Sequence, residues 1–342
     1  MAYHFKNLVF EGGGVKGIAY VGALEVLEKE GILKNIKRVA GTSAGAMVAV
    51  LVGLGYTPSE ISDILWGLNF QNFLDEDFGF ARDTNRLINE YGWYKGDFFR
   101  NLMADYIKDK TGNGEITFGE LAKNKKFRNI YLIGTDLSTS YSRVFCFEHT
   151  PEVRVADAAR ISMSIPLFFR AVQNINNDHH VYVDGGLLDN YPIKVFDRVK
   201  YILEESNIRR TEYYEKTNKS LRRKRGQIDD YVYNKETLGF RLDTKEEIEK
   251  FLDPDSELPI KNDIKTIFSY SKALVTTLID FQNNVHLHSD DWQRTIYIDS
   301  KNVGAVDFEI SDAKKRLLVE SGINGTTEYL NWYNNDEPKA NK

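Results

Sequence analysis

Gly41-Thr42-Ser43-Ala44-Gly45 stands between two runs of different character. Lys37-Arg38-Val39-Ala40 before it is short and strand-like, and Ala46-Met47-Val48-Ala49-Val50-Leu51-Val52 after it reads as a buried helix. Strand, tight turn and helix with a serine at the turn is the context of a G-x-S-x-G nucleophile elbow. The flanks must be small, because such a serine occupies a strained turn where helix and strand pass close together. Gly41 and Gly45 leave that room. Ser43 is therefore the candidate nucleophile.

The surrounding elements alternate. Asn7-Leu8-Val9-Phe10 is a short buried-type strand, followed by Glu11-Gly12-Gly13-Gly14-Val15-Lys16-Gly17 and a helix with Ile18, Val21, Leu24 and Leu27 on one stripe. Gly31 is expected to end that helix. Thr57-Pro58-Ser59-Glu60 supplies an N-cap, a proline at N1 and a glutamate at N3 for another. Asn129 to Asp136 reads as a central strand with Val144 to Phe147 beside it. Val155 to Ile161 reads as a short helix, and Val181-Tyr182-Val183 as a strand stopping at Asp184-Gly185-Gly186. This order argues for an α/β fold with a mainly parallel sheet covered on both faces. Later, Ile264, Ile267, Phe268, Leu274, Leu278, Phe281 and Val285 follow helical spacing. Thr295 to Ile298 looks like a last strand, Ser311 could cap a helix that stops at Gly322, and residues 334–342 read as a frayed tail.

Two stretches stand apart. Residues 66–99 are dense in rings, among them Trp66, Phe70, Phe73, Phe78, Trp93 and Phe99, interleaved with charges; they read as an aromatic flap or as a satellite cluster on the core. Residues 203–237 are rich in charge with poor periodicity, and Lys219 to Arg225 carries five positive side chains; they read as a charged, solvated insertion suited to an anionic lipid or a partner. With no internal repeat and no clear linker, residues 5–330 are expected to form one domain.

A net charge of −5 over 342 residues gives no footprint for nucleic acid. The single cysteine, Cys146, excludes an internal disulfide framework and a cysteine-based zinc site. No apolar run approaches the ~20 residues of a membrane span, and the start enters a strand without a signal-peptide core. A cytoplasmic protein that meets a membrane only from the water side is the expectation.

The glycine loop has two readings. Gly12, Gly14 and Gly17 satisfy G-x-G-x-x-G between strand and helix, which would suit a dinucleotide-binding module. The second strand, however, ends in Val39-Ala40-Gly41 with no acidic residue for a ribose. Alternatively, consecutive glycines expose backbone N–H groups at a helix start, as an oxyanion hole requires, with Lys16 adding positive charge. The loop and Ser43 should leave neighbouring strand ends on one edge of the sheet, so acyl transfer is the better reading. A base is then needed. His286 and His288 fall at the end of a helix-like stretch, and His4, His149, His179 and His180 are no better placed. Asp184 ends an apolar strand, and Gly185 and Gly186 after it let another backbone or a substrate come close. Burial would raise its pKa toward that of a useful base.

These three motifs in this order resemble the patatin-like phospholipase family: a glycine loop with a basic residue, G-x-S-x-G, and D-G-[AG]. Gly134-Thr135-Asp136-Leu137-Ser138-Thr139 and Ala158 to Pro166 look similar too. Leu238 to Leu242 and the region from Arg294 to Asp299 resemble its bacterial branch. The resemblance covers residues 5 to about 200 well and continues loosely to about 330. It implies a three-layer α/β/α fold and a Ser43–Asp184 dyad without a catalytic histidine. It also implies an oxyanion hole from the Gly12, Gly13, Gly14, Lys16 and Gly17 loop, with Lys16 where many members carry arginine. The expected activity is that of a serine lipid acyl hydrolase acting on phospholipid or another acyl ester, without metal or cofactor. A protein activator and peripheral membrane contact are compatible with it. The rivals are an acyltransferase or thioesterase with the same dyad, the nucleotide-binding module, and an inactive or regulated relative that binds lipid.

Overall fold

The computed structural model describes residues 3–73, 87, 89–175, 178–226, 229–244, 264–266, 269–270, 273–274, 276–278, 290–335 and 341. Its strands are β1 (Asn7–Phe10), β2 (Arg38–Thr42), β3 (Gly92–Tyr94), β4 (Asn129–Asp136), β5 (Tyr141–Phe145), β6 (Leu167–Phe169), β7 (Val172–Gln173), β8 (Val181–Asp184), β9 (Ile208–Arg209), β10 (Tyr233–Asn234), β11 (Thr237–Asp243) and β12 (Thr295–Asp299). The main sheet runs β12-β11-β1-β2-β4-β8-β7, with β5 on β4. Its β12, β11, β1, β2 and β4 are mutually parallel, while β5 and β8 run antiparallel to β4, and β7, antiparallel to β8, runs with the parallel set.

The period-2 geometry of a strand sorts side chains to opposite faces. Leu8, Phe10, Val39 and Leu132 join the large core under α1 (Ala19–Lys29), α2 (Ala44–Gly53), α3 (Pro58–Gly67), α4 (Asp97–Thr111), α5 (Phe118–Lys123) and α6 (Val155–Ser162). Val9, Ala40 and Tyr131 point the other way, into a smaller cluster with Tyr191, Ile193, Phe196 and Tyr201. Both faces are covered, as near-continuous apolar strands require.

Local signals read from the sequence hold. Gly31 follows α1 with φ +69°, and Thr57 and Glu60 form a capping box around Pro58. Ser311 caps the last helix. That helix does not stop at Gly322. α8 (Asp312–Asn334) runs through it, and Gly322 sits where a Cβ would overlap the Ala19 carbonyl oxygen of α1. Gly22 on α1 likewise leaves room for Val319 and Ile323. The glycine marks a helix crossing.

The charged stretch 203–237 is more ordered than its periodicity suggests. It carries β9, α7 (Glu212–Arg225) and β10. Tyr214 on α7 donates its hydroxyl to Asp197, and Asn218 bonds both backbone groups of Tyr231. Asp197 in turn receives two guanidinium N–H groups of Arg294, at 2.6 and 2.7 Å. A few buried polar contacts hold this helix, so no apolar stripe announced it. Of the ring-rich stretch, Phe73 and Phe99 are buried, and Trp66, Phe70, Tyr94 and Phe98 pack against the core. Phe78 and Phe80 lie outside the described residues, as do His286, His288 and most of the helix-like stretch 264–285.

Candidate active site

Ser43 lies between the last residue of β2 and the first of α2, with φ 54° and ψ −124°. A left-handed φ at a non-glycine residue costs on the order of 1–3 kcal/mol and persists only when its surroundings over-determine it. Here they do. The Ser43 N–H donates to Ser162 Oγ at 2.9 Å, and its carbonyl receives the N–H groups of Ala46 and Met47. A Cβ on Gly41 would overlap the Gly45 carbonyl oxygen, and one on Gly45 would stand 2.5 Å from that of Glu11. The flanking glycines are required by close approach, as the motif implied.

Register brings Asp184 to the same level. Thr42 pairs with Ile133 on β4, and the next β4 residue, Gly134, pairs with Asp184 on β8. Asp184 thus arrives on an antiparallel strand, one residue beyond the end of β2. It is 2 % exposed, and its N–H donates to the Ser164 carbonyl at 2.8 Å. Its Oδ1 accepts the Gly186 N–H at 2.7 Å, whereas Oδ2 has no hydrogen-bond partner among the described residues. Burial pushes its carboxyl from 3.8 up to about 7, offset in part by the Gly186 N–H and by the nearby Ser43 hydroxyl. That hydroxyl favours the carboxylate without forming a hydrogen bond to Oδ2; Ser43 Oγ instead contacts Met163 Sδ at 3.6 Å.

The glycine loop leaves β1 beside the elbow and enters a short 3₁₀ turn, Gly14–Ile18. The Gly12 N–H is taken by the Asn190 carbonyl. The N–H groups of Gly13 and Gly14 have no partner among the described residues, and neither has that of Ala44 at the start of α2. Gly17 faces Ala44 across the loop. Lys16 bonds the Leu242 carbonyl on β11 at 3.1 Å and favours the ionised form of Glu11. Glu11 is buried and raised to about 7, chiefly by burial, against the lowering effect of Arg241. Its Oε2 accepts the Leu242 N–H at 2.7 Å, so this cluster pins the loop to β11.

No histidine hydrogen-bonds Ser43 or Asp184 among the described residues; His180 pairs with Asp136, and His4 bonds Lys235 and Tyr333. No cluster of metal-ligating side chains occurs among them either. An apolar cavity of about 40 Å³ adjoins Ser43, walled by Val15, Met47, Leu65, Phe73, Met163 and Phe308. That is far below the roughly 300–1,000 Å³ of a typical ligand pocket, so a long chain requires its walls to part. Met47 and Met163 are the side chains best suited to that. The Ala44 amide was not singled out from the sequence, although an elbow implies a donor just after its nucleophile. Ser162 and Asn190 carried no such signal.

The patatin-like phospholipase family model matches residues 8–197. The uncharacterized protein YqhO of Bacillus subtilis is 32 % identical over 333 residues, covering 94 % of this chain and 97 % of the relative. A probable lipid hydrolase, 463L of Invertebrate iridescent virus 6, is 28 % identical over 200 residues, 58 % of this chain and 64 % of that protein. Among solved structures, VipD of Legionella pneumophila shares the fold with a TM-score of 0.57 at 17 % identity, over 97 % of this chain and 67 % of VipD. The chain belongs to the patatin-like phospholipase family.

Proposed function

We propose that this protein is a serine lipid acyl hydrolase in which Ser43 is the nucleophile and Asp184 the base. The observation that carries the reading is the buried Asp184 carboxyl. One oxygen is committed to the Gly186 amide, the other is unbonded beside Ser43, and burial tunes its affinity for a proton to near neutrality. Asp184 takes the Ser43 proton as Oγ attacks the ester carbonyl carbon. The charge that develops on the carbonyl oxygen meets the free N–H groups of Gly13, Gly14 and Ala44. Collapse expels the alcohol, protonated by Asp184, and leaves an acyl-enzyme; water, deprotonated by the same carboxylate, releases the fatty acid. The apolar cavity beside Ser43 suits an acyl chain, with Phe70 and Phe73 of the ring-rich stretch in its wall.

The named lipid hydrolase among the relatives supports the substrate class. Among the described residues no helix is long and apolar enough to cross a membrane, so we read lipid contact as peripheral, at the cavity mouth. We take residues 5–330 as one catalytic unit, because β11 and β12 complete the sheet beside β1. Product profiling tests the reading. Wild type should release free fatty acid from phospholipid or lysophospholipid vesicles and Ser43→Ala should not. Acyl groups recovered on an added alcohol and absent as free acid would make it an acyltransferase.

A further inference from the structure

We propose that Asn190 is a positioning residue that sets the oxyanion hole by locking the peptide between Gly12 and Gly13; the proposal rests on the acyl-hydrolase reading above. In a trans peptide the C=O and N–H point to opposite sides, so whatever holds the carbonyl aims the amide. Asn190 Nδ2 donates to the Gly12 carbonyl at 3.2 Å, and the Asn190 carbonyl receives the Gly12 N–H at 3.1 Å. Asn190 thus brackets Gly12 by both backbone groups. The following peptide is held the same way, with the Gly13 carbonyl accepting the Lys16 N–H at 3.1 Å. With both carbonyls retained by the protein, the N–H groups of Gly13 and Gly14 are left unbonded on the other side.

A link between two glycines needs such a hold. Without Cβ atoms, Gly13 and Gly14 (φ +55°) can turn their peptide planes at little steric cost. Gly12 itself lies against the nucleophile, since a Cβ there would be 3.1 Å from Ser43 Cβ and would collide with Asn190 Oδ1. Asn190 also donates Nδ2 to Glu11 Oε1 at 3.4 Å, which anchors its amide from behind. Its neighbour Asp189 accepts the Thr42 hydroxyl at 2.9 Å. The segment that carries the base therefore touches the glycine loop and the residue before the nucleophile. Three motifs far apart in sequence are referenced to one dipeptide, and Asn190 is the side chain that controls where the loop's amides point.

The test compares Asn190→Ala and the isosteric Asn190→Asp with wild type, using a soluble ester and a long-chain trifluoromethyl ketone, which forms an oxyanion only when a serine adds to it. We expect kcat to fall roughly a hundredfold with KM within about threefold, the loss expected for a misaimed oxyanion donor. Ketone affinity per folded molecule should fall in parallel and the pH profile should keep its midpoint, while Asn190→Asp, which turns a buried carboxyl toward Glu11 and the Gly12 carbonyl, should melt below wild type. Full turnover and ketone affinity in both variants overturn the proposal. So does a loss that merely follows the folded fraction. Ser43→Ala is run alongside: turnover surviving there refutes the parent reading, whereas a dead Ser43→Ala beside active Asn190 variants refutes only the role of Asn190.

Discussion

Asp184 faces Ser43 with one carboxylate oxygen bound to the Gly186 amide and the other unbonded, while the Ser43 hydroxyl rests on Met163 Sδ. Sulfur is a weak acceptor, and a buried carboxylate oxygen without a donor costs about 1–3 kcal/mol. The arrangement is poised: a small rotation of the Ser43 side chain toward Asp184 exchanges a poor acceptor for a strong one.

On the proposed dyad, the pH dependence of kcat/KM follows from Asp184. A base works only when deprotonated, and burial holds this carboxyl at about 7. Hydrolysis of a soluble ester should therefore rise about tenfold per pH unit below that midpoint and level off above it. A profile already flat at about pH 5 would mean that the base is an ordinary carboxylate.

The same group makes a stability prediction of opposite sign. Its folded pKa lies above the unfolded one, so its favourable contribution is complete below 3.8 and is lost as pH rises through about 7. Asp184→Asn carries no charge to bury. It should match wild type near about pH 4 and exceed it by about 2–4 kcal/mol at about pH 8, read from urea melts at both values. Glu11 is present in both proteins and cancels from the difference.

Glycine substitutions separate packing from helix propensity. Gly67 closes α3 in open space, and alanine there should stabilise by up to about 1 kcal/mol. Gly322 lies inside a helix yet presses on the Ala19 carbonyl, so alanine there should destabilise by about 2 kcal/mol or more. Gly45→Ala, wedged against β1, should cost at least as much and abolish activity. Thermal melts of the three variants check the order.

On the proposed acyl-hydrolase reading, the cavity wall should set chain length. Ile165 lines it and is only partly buried, so Ile165→Trp can fill space without disrupting the core. The variant should lose roughly tenfold or more in kcat/KM on laurate esters and little on butyrate esters. Equal losses on both would place the acyl chain elsewhere.

Much of this site was legible in the sequence because its signals are local. Gly41 and Gly45 announce a turn that only small residues fit, consecutive glycines announce free amides, and apolar strands end at Ser43 and Asp184. Direction was not legible: Asp184 reaches Ser43 on an antiparallel strand, set by the Gly134–Asp184 register with a strand about fifty residues earlier. Gly322 read as a helix stop because a glycine signals either a break or a close approach, and only the partner, α1, decides which. α7 was missed because its anchors are the Tyr214 hydroxyl and the Asn218 amide, which carry no periodicity. Asn190 and Ser162 act through hydrogen bonds to residues far away in the chain, which no spacing encodes.

The most direct test of the Ser43–Asp184 account is turnover of a soluble ester by Ser43→Ala and Asp184→Asn, each checked for a native circular dichroism spectrum and melt. The account predicts that both folded variants lose roughly a thousandfold or more in kcat. Either variant turning over within about tenfold of wild type would contradict it.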